Sequence, residues 1–170
     1  MRTHLHKGRV IDVGVEDVVL PSGVRVTLDV ILHPGAALVV PMSEGRITLI
    51  RQYRHCAGGM LWECPAGTLN PGETPEQCAR REIVEEAGLV ADELQEVGFI
   101  WTVPGFCTEK IHIFIATKTH AVPSRHDDDE VIVDVRSFSL EEVCAMVSSG
   151  EIVDAKTIAG IFHVLRRTMS

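Results

Sequence analysis

Aromatic residues, basic residues and long apolar runs are all scarce in this chain, and each shortage excludes a class of protein. Only 5% of the 170 residues are aromatic, so the core must be mainly aliphatic. Lys and Arg number 16 against 24 Asp and Glu, and the net charge of −8 argues against a nucleic-acid-binding surface. No apolar run is long enough to span a membrane, and the first residues lack the apolar centre of a signal peptide. The sequence therefore predicts a cytoplasmic protein with no membrane and no nucleic-acid partner.

Paired cysteines are also missing. The five cysteines are odd in number, widely spaced and without a C-x-x-C motif, which is typical of reduced thiols in a cytosolic protein. We expect each of them to be a small buried hydrophobe. They are Cys56, Cys64, Cys78, Cys107 and Cys144.

The chain does contain enough apolar material for one domain with a sizeable core, since 45% of its residues are hydrophobic and 24% are charged. Apolar alternation predicts several strands, capping residues predict two helices, and an apolar stripe predicts a third. The last helix, 154–167, carries an apolar stripe that we expect to face the core, formed by Ile158, Ile161, Phe162 and Leu165. The predicted strands lie within 7–33 and at 36–42, 47–53, 94–102, 110–118 and 131–135, and the other helices at 75–87 and 140–148.

The segment 67–89, GTLNPGETPEQCARREIVEEAGL, concentrates five acidic residues in one loop and one helix. Thr74 and Gln77 form a capping box around Pro75, and Gly88 supplies the C-terminal stop, so a helix is predicted between them. The acidic residues are Glu73, Glu76, Glu82, Glu85 and Glu86.

Three of these acids, Glu82, Glu85 and Glu86, are spaced i, i+3 and i, i+4 and must share one helix surface. Each like-charge pair destabilises an isolated helix by roughly 0.2–0.5 kcal/mol. The spacing alone leaves two interpretations open. The surface is either a solvated acidic face balanced by Arg80 and Arg81, or a site for a hard divalent cation such as Mg²⁺, which prefers oxygen ligands.

The same segment resembles the complete Nudix box, which fixes nine positions within 23 residues. The resemblance implies a hydrolase that cleaves a nucleoside diphosphate linked to another moiety. It also implies that Glu82, Glu85 and Glu86 bind Mg²⁺, or Mn²⁺ or another divalent ion, while Arg81 orients the carboxylates and Glu73 supports them. The nine matching positions are Gly67, Glu73, Arg81, Glu82, Ile83, Glu85, Glu86, Gly88 and Leu89.

The resemblance also predicts the architecture: an α/β fold with a mixed sheet between helices, preceded by an N-terminal antiparallel β-sheet. Residues 1–33 alternate like antiparallel strands but are too few to hold a core of their own. They are similar to the N-terminal sheet of ADP-ribose pyrophosphatases, which is exchanged between the subunits of a homodimer and helps to bind the nucleotide. We therefore expect a dimerisation and substrate-binding element at 1–33 and the hydrolase domain at 34–170.

Residues flanking the box resemble the ADP-ribose pyrophosphatase branch of the family. Two arginines at the end of a predicted strand, Arg51 and Arg54, are candidates for binding phosphate, because a guanidinium matches phosphate oxygens. The resemblance implies a phosphate contact for Arg54, and it places Glu63 and the backbone carbonyl of Ala66 at the metal and substrate site. Trp62 is expected to pack in the core.

Two further regions complete the predicted site. Pro104 and Glu109 resemble the ADP-ribose-specific signature beyond the box, although Val103 stands where a Ser commonly precedes that Pro. The acidic run 127–130 precedes a strand, and in the family the corresponding loop brings a carboxylate over the metal site. Glu130 is therefore the predicted general base or an outer metal ligand.

The sequence as a whole predicts Mg²⁺-dependent hydrolysis of ADP-ribose to AMP and ribose 5-phosphate. One alternative keeps the chemistry and changes the substrate to another nucleoside diphosphate sugar or a dinucleoside polyphosphate. A second alternative is a non-catalytic ADP-ribose sensor, but the intact box and the absence of room for a DNA-binding module argue against it. Messenger-RNA decapping would need a basic RNA-binding face, which the composition does not offer.

Overall fold

The computed structural model describes residues 2–123 and 131–168. The strands are β1 (Arg2–Lys7), β2 (Asp12–Val19), β3 (Arg25–Leu32), β4 (Ala36–Ser43), β5 (Arg46–Arg54), β6 (Gly59–Glu63), β7 (Ala66–Thr68), β8 (Leu89–Trp101), β9 (Lys110–Ala121) and β10 (Ile132–Ser139). The helices are α1 (Pro75–Ala87), α2 (Leu140–Ser149) and α3 (Ala155–Thr168), with a single 3-10 turn at His55–Ala57.

A seven-stranded mixed sheet forms the centre of the structure. Its main path runs β10-β5-β4-β9-β8, with β6 paired to β5 and β7 paired to β4. The β4–β9 pair is parallel, whereas the other pairs are antiparallel. The predicted mixed sheet is therefore confirmed.

Strand β4 is the central element, and it is apolar on both faces because helices cover both. Ala37 and Val39 pack into the cluster that includes the small residues of α1. Leu38 and Val40 point the other way, into the larger cluster with residues of α2 and α3. Since successive residues of a strand face opposite sides, one uninterrupted apolar run can fill two cores. The sheet thus lies between α1 on one face and α2 with α3 on the other, as predicted.

The helix ends follow the local sequence signals. Thr74 accepts the Gln77 N–H and the Gln77 side chain accepts the Thr74 N–H, and Gly88 ends α1 in the left-handed conformation at φ 61°. Ser139 and Glu142 form the same reciprocal pair at the start of α2. Such a cap typically stabilises a helix by about 1 kcal/mol.

The N-terminal sheet has the order β1-β2-β3 and is antiparallel, which confirms the predicted appendage. It is joined to the rest by backbone hydrogen bonds from Ile31 to the Phe106 carbonyl at 2.7 Å and from Thr108 to the Ile31 carbonyl at 2.9 Å. The first strand starts at Arg2, earlier than the alternation at 7–33 indicated. Similarly, β8 begins at Leu89 rather than 94, because pairing with the long β9 extends it.

Two packing predictions are wrong in part. Of the predicted stripe of α3, Ile161 is buried and Ile158 and Leu165 pack against the core, but Phe162 is 59% exposed. The buried face of the helix also includes Thr157, Gly160 and Val164. Gly160 lets α3 pack closely against β4, since a Cβ at this position would lie only 2.8 Å from Val40 Cγ2.

The cysteines do not all behave as buried hydrophobes. Cys64 and Cys78 are buried, whereas Cys56 is exposed and Cys107 and Cys144 are intermediate. Burial raises the pKa of the Cys64 and Cys78 thiols to about 12. Across residues 2–123 and 131–168, no helix has both the length and the apolar character needed to cross a membrane.

Candidate active site

An open cavity of about 1220 Å³ lies where the N-terminal sheet, the central sheet, α1 and the start of α3 meet. Its lining includes the loop residues Arg9 and Val10, the end of β5, the segment 66–73 and the acidic side of α1. Four positively charged side chains also line it, and they come from four different parts of the chain. They are Arg9, Arg54, Arg81 and Lys156.

The acids of α1 are held at different depths beside this cavity. Glu86 is almost fully buried, and its Oε2 accepts the Ala66 N–H at 2.7 Å. The side chain of Glu82 is 7% exposed, and that of Glu85 is 30% exposed. The helical spacing predicted this shared surface, and the sheet at 66–68 forms its opposite wall.

Gly67 leaves the space that the Glu82 carboxylate occupies. A Cβ at Gly67 would stand 1.7 Å from Glu82 Oε1 and 2.1 Å from its Cδ, distances that no real contact allows. The glycine is therefore required by the close approach of β7 to α1, and it keeps a buried carboxylate next to the β7 backbone.

Arg81 supplies positive charge for most of the acidic surface. Its guanidinium donates to Glu73 at 2.9 Å, to Glu82 at 2.5 Å and to Glu85 at 2.9 Å, and also to the Thr68 carbonyl at 3.2 Å. Hydrogen bonds to Glu73 are the main cause of a raised Arg81 pKa, so the group stays charged. The Arg81 hydrogen bond is likewise the main reason that the pKa of Glu73 is lowered. Arg80 points elsewhere, to Glu76 and the Ala91 carbonyl.

The donor set fits a hard divalent ion. Glu82, Glu85 and Glu86 offer carboxylate oxygens, and Ala66 lies next to Glu86. Gly67 leaves room for the Glu82 carboxylate beside the backbone of β7. In the described part of the chain, however, no three acidic, His or Cys side chains already converge as a cation site. Arg81 stands between Glu82 and Glu85, so cation binding would compete with two of its hydrogen bonds.

A second charged cluster adjoins the cavity, around the buried carboxylate of Glu63. Arg54 donates to both of its oxygens, from Nε to Oε1 at 2.9 Å and from Nη2 to Oε2 at 2.8 Å. Lys156 Nζ also donates to Oε2, and it contacts Asp154 Oδ1 at 3.0 Å. Burial by itself would raise the pKa of Glu63, but the Arg54 hydrogen bonds and the Lys156 charge outweigh it and lower that pKa.

The start of α3 is tied to the same segment. Asp154 caps the helix by accepting the Thr157 N–H at 3.0 Å, and Thr157 Oγ1 accepts the Cys64 N–H at 2.8 Å. Since Cys64 lies between Glu63 and the strand that begins at Ala66, α3 fixes the backbone that leads into the cavity.

The structure brings together some of the residues predicted from sequence and separates others. Arg54, Ala66 and Glu109 line the cavity together with Glu82 and Glu85. Glu63 and Glu86 lie directly behind that lining, in contact with Arg54 and Ala66.

Three predicted residues have a different placement. Arg51 projects from the other side of β5, with its guanidinium carbon 5.8 Å from the centre of the buried Trp62 ring. Pro104 lies in the loop that contacts β3 and is not among the cavity-lining residues in the described part of the chain. Glu130 lies outside the described residues, so its role as base stays a prediction.

Sequence reasoning missed Lys156 and Gln52. Lys156 had one visible signal: a cation in the first turn of a helix opposes the helix dipole, so its presence there needs a compensating partner. Gln52 had none, because its inward orientation follows from the register of β5. It lines the cavity at 3% exposure.

The chain resembles known proteins both in sequence and in fold. The sequence profile of the NUDIX domain matches residues 31–160. ADP-ribose pyrophosphatase of Bacillus subtilis (strain 168) is 36% identical over 165 residues, covering 96% of this chain and 89% of the relative. ADP-ribose pyrophosphatase of Mycobacterium tuberculosis (strain ATCC 25618 / H37Rv) is 37% identical over 164 residues, covering 94% and 79%.

A third relative has a different substrate in its name. GDP-mannose pyrophosphatase of Yersinia enterocolitica is 37% identical over 124 residues, covering 68% of this chain and 64% of the relative. A crystal structure of an ADP compounds hydrolase superposes with a TM-score of 0.85 over 98% of this chain and 90% of that one. At 21% identity that likeness supports the fold alone.

Proposed function

This chain belongs to the Nudix family of hydrolases, and from that premise we propose that it hydrolyses ADP-ribose to AMP and ribose 5-phosphate. The observation that carries the proposal is the extent of the match. The two ADP-ribose pyrophosphatases align over 94–96% of this chain, which must include most of the first 33 residues, whereas the GDP-mannose relative aligns over 68%. The sequence that forms the N-terminal sheet, whose loop residues Arg9 and Val10 line the cavity, is thus mostly aligned with two relatives named ADP-ribose pyrophosphatase.

The family uses a divalent metal ion, and we propose Mg²⁺. Glu82, Glu85, Glu86 and the carbonyl of Ala66 would hold it. A bound divalent ion supplies charge neutralisation at phosphate and lowers the pKa of water. Arg81 hydrogen-bonds Glu82 and Glu85 and so orients these two carboxylates, while the Ala66 N–H orients Glu86.

The reaction itself consumes one water. The water oxygen bonds to one phosphorus atom, the bond from that phosphorus to the bridging oxygen breaks, and the bridging oxygen leaves with the other phosphate. A carboxylate must accept a proton from the water, and Glu130 is the proposed acceptor. Arg54 is proposed to hold the diphosphate, since its guanidinium faces the cavity while Glu63 fixes its orientation.

The cavity also carries polar groups suited to a hydroxyl-rich ligand. Among the described residues, Gln52 Oε1 and Thr102 Oγ1 are buried without a hydrogen-bond partner, and both residues line the cavity. Buried polar atoms normally have partners, so such atoms at a cavity wall support a polar occupant. Pro104 and Glu109 stay as the proposed residues that favour ADP-ribose, whereas the phosphate role is proposed for Arg54 and not for Arg51, whose guanidinium lies beside Trp62 on the other side of β5.

The test is a substrate panel. The purified protein is incubated with Mg²⁺ and ADP-ribose, GDP-mannose, other nucleoside diphosphate sugars and dinucleoside polyphosphates, and the products are identified by chromatography. AMP released fastest from ADP-ribose would support the proposal. Faster cleavage of GDP-mannose would favour the second candidate, which the Yersinia relative brings forward.

We also propose that the protein is a cytoplasmic homodimer in which residues 1–33 form the contact between subunits. The N-terminal sheet supports this, because it leaves several large apolar side chains exposed: Leu5, Val19, Val24, Leu28 and Leu32.

A further inference from the structure

Lys156 occupies a costly position. It lies in the first turn of α3, where the helix dipole disfavours a positive charge. Its side chain is only 17% exposed, so it also gives up much of its hydration. Two anions offset these costs: the buried carboxylate of Glu63 and the capping carboxylate of Asp154. None of the family's box residues takes part in this arrangement.

Lys156 and Arg54 meet on one atom. Both donate to Oε2 of Glu63, one from the α3 side and the other from the end of β5. Two positive charges are therefore neighbours, held together by the Glu63 carboxylate between them and by Asp154 beside Lys156. Both cations line the cavity, so an anionic ligand that enters it would meet two positive groups at once.

Lys156 and Arg54 both have N–H donors that their carboxylate partners do not use. An ammonium group has three N–H donors; Lys156 uses one of them on Glu63 and forms an ion pair with Asp154 at 3.0 Å. A guanidinium has five, and Arg54 uses two on Glu63. Both side chains line the cavity, so the remaining donors are available there.

We propose that Lys156 is a second phosphate-binding residue, and that Lys156 and Arg54 together hold the anionic oxygens of the substrate diphosphate. This inference rests on the proposed function for the identity of the substrate. Glu63 acts as the shared anchor that orients both cations before the substrate arrives, so little reorganisation is needed on binding.

Equilibrium binding without turnover tests the proposal. Dissociation constants for ADP-ribose and for inorganic pyrophosphate are measured by calorimetry in EDTA, over a series of KCl concentrations. Lys156→Met is expected to weaken both ligands by about tenfold or more, as the loss of a charge-assisted hydrogen bond does. It should also flatten the salt dependence. Lys156→Arg should stay within about threefold of wild type, because the charge is kept.

Lys118→Met is the matched control. Lys118 is an exposed lysine paired with Glu93 and lies away from the cavity, so its loss should change neither ligand. If Lys156→Met does not fold, Lys156→Gln takes its place, since an amide can still donate to Glu63.

A double-mutant cycle separates direct contact from an effect through Arg54. Direct contact predicts that Lys156→Met weakens pyrophosphate binding further in an Arg54→Met background. No further loss in that background, or an unchanged dissociation constant in the single variant, would overturn the proposal. ADP-ribose hydrolysis by wild type would then still stand. Conversely, pyrophosphate binding that depends on Lys156 in a protein that does not cleave ADP-ribose would refute only the proposed function.

Discussion

The proposed metal site depends on single carboxylates of α1. Glu82→Gln and Glu86→Gln each remove one carboxylate from the proposed ligand set while keeping its size. We expect each to lower kcat with ADP-ribose at saturating Mg²⁺ by about 10³-fold or more, because a principal ligand contributes several kcal/mol to the transition state. Steady-state kinetics provide the measurement.

Glu76→Gln is the control for these two variants. Glu76 lies on the same helix but pairs with Arg80 in solvent, so its loss should leave kcat unchanged. Near-native turnover by Glu82→Gln or Glu86→Gln would show that the metal assignment is wrong.

The buried carboxylate of Glu63 should make the free energy of unfolding depend on pH. Its pKa in the folded protein lies below the usual 4.5, since the Arg54 and Lys156 contacts outweigh burial. As the pH falls, the unfolded chain therefore takes up this proton first, which favours unfolding. The stabilisation by Glu63 is fully present above about pH 4.5 and is lost as the pH falls through the folded-state value.

The measurement compares denaturant unfolding of wild type and Glu63→Gln from neutral to acid pH. At neutral pH the variant should be less stable by about 3 kcal/mol, since Arg54 and Lys156 lose a buried partner. The difference should shrink below about pH 4.5, where wild type loses the same interaction. Curves that stay parallel down to the acid limit would contradict the assignment of Glu63 as a charged anchor.

At the scale of elements, the approach of β7 to α1 sets the geometry of the acidic site. Gly67→Ala would place a methyl group inside the space of the Glu82 carboxylate. Either the carboxylate or the strand must move, and a displacement of about 1 Å at a catalytic group can cost on the order of 10² in rate. We expect kcat to fall by about that factor and the Mg²⁺ concentration for half-maximal activity to rise.

Gly59→Ala tests whether any glycine in these strands would behave the same way. A Cβ at Gly59 meets nothing within 4 Å, so activity should be retained. Equal losses in both variants would mean that backbone flexibility, rather than the contact with Glu82, explains the effect.

The ends of the helices could be predicted from the sequence more fully than their buried faces. The ends of α1 and α2 follow from residues three apart, because a cap involves only neighbours in sequence. The buried face of α3 does not, since Phe162 is apolar and yet exposed, while Gly160 packs on β4. Which face of a helix is buried depends on the shape of the surface that receives it.

For the whole molecule, the prediction concerns assembly. A sheet of three strands with several exposed apolar side chains is marginal alone and gains from a partner surface. Light scattering at micromolar concentration should give about 37 kDa, twice the 18.7 kDa of one chain. A mass of one chain at that concentration would refute the proposed homodimer.

A variant locates the contact. Leu5→Asp, on the exposed side of β1, should lower the dimer affinity if residues 1–33 form the interface. Phe162→Asp introduces the same charge at an exposed apolar residue of α3 and should leave the mass unchanged.

The sequence by itself indicated the chemistry, because the Nudix box is one continuous segment of 23 residues and can be recognised without tertiary structure. Alternation, which is local too, indicated the strands of the N-terminal appendage, whereas the mixed sheet was implied by the resemblance to the family. Only the tertiary structure decided which charges meet. Lys156 and Glu63 are 93 residues apart, and Arg51 and Arg54 lie on opposite sides of β5. Such contacts depend on strand register and helix docking, which are set by the packing of the whole core rather than by any one segment.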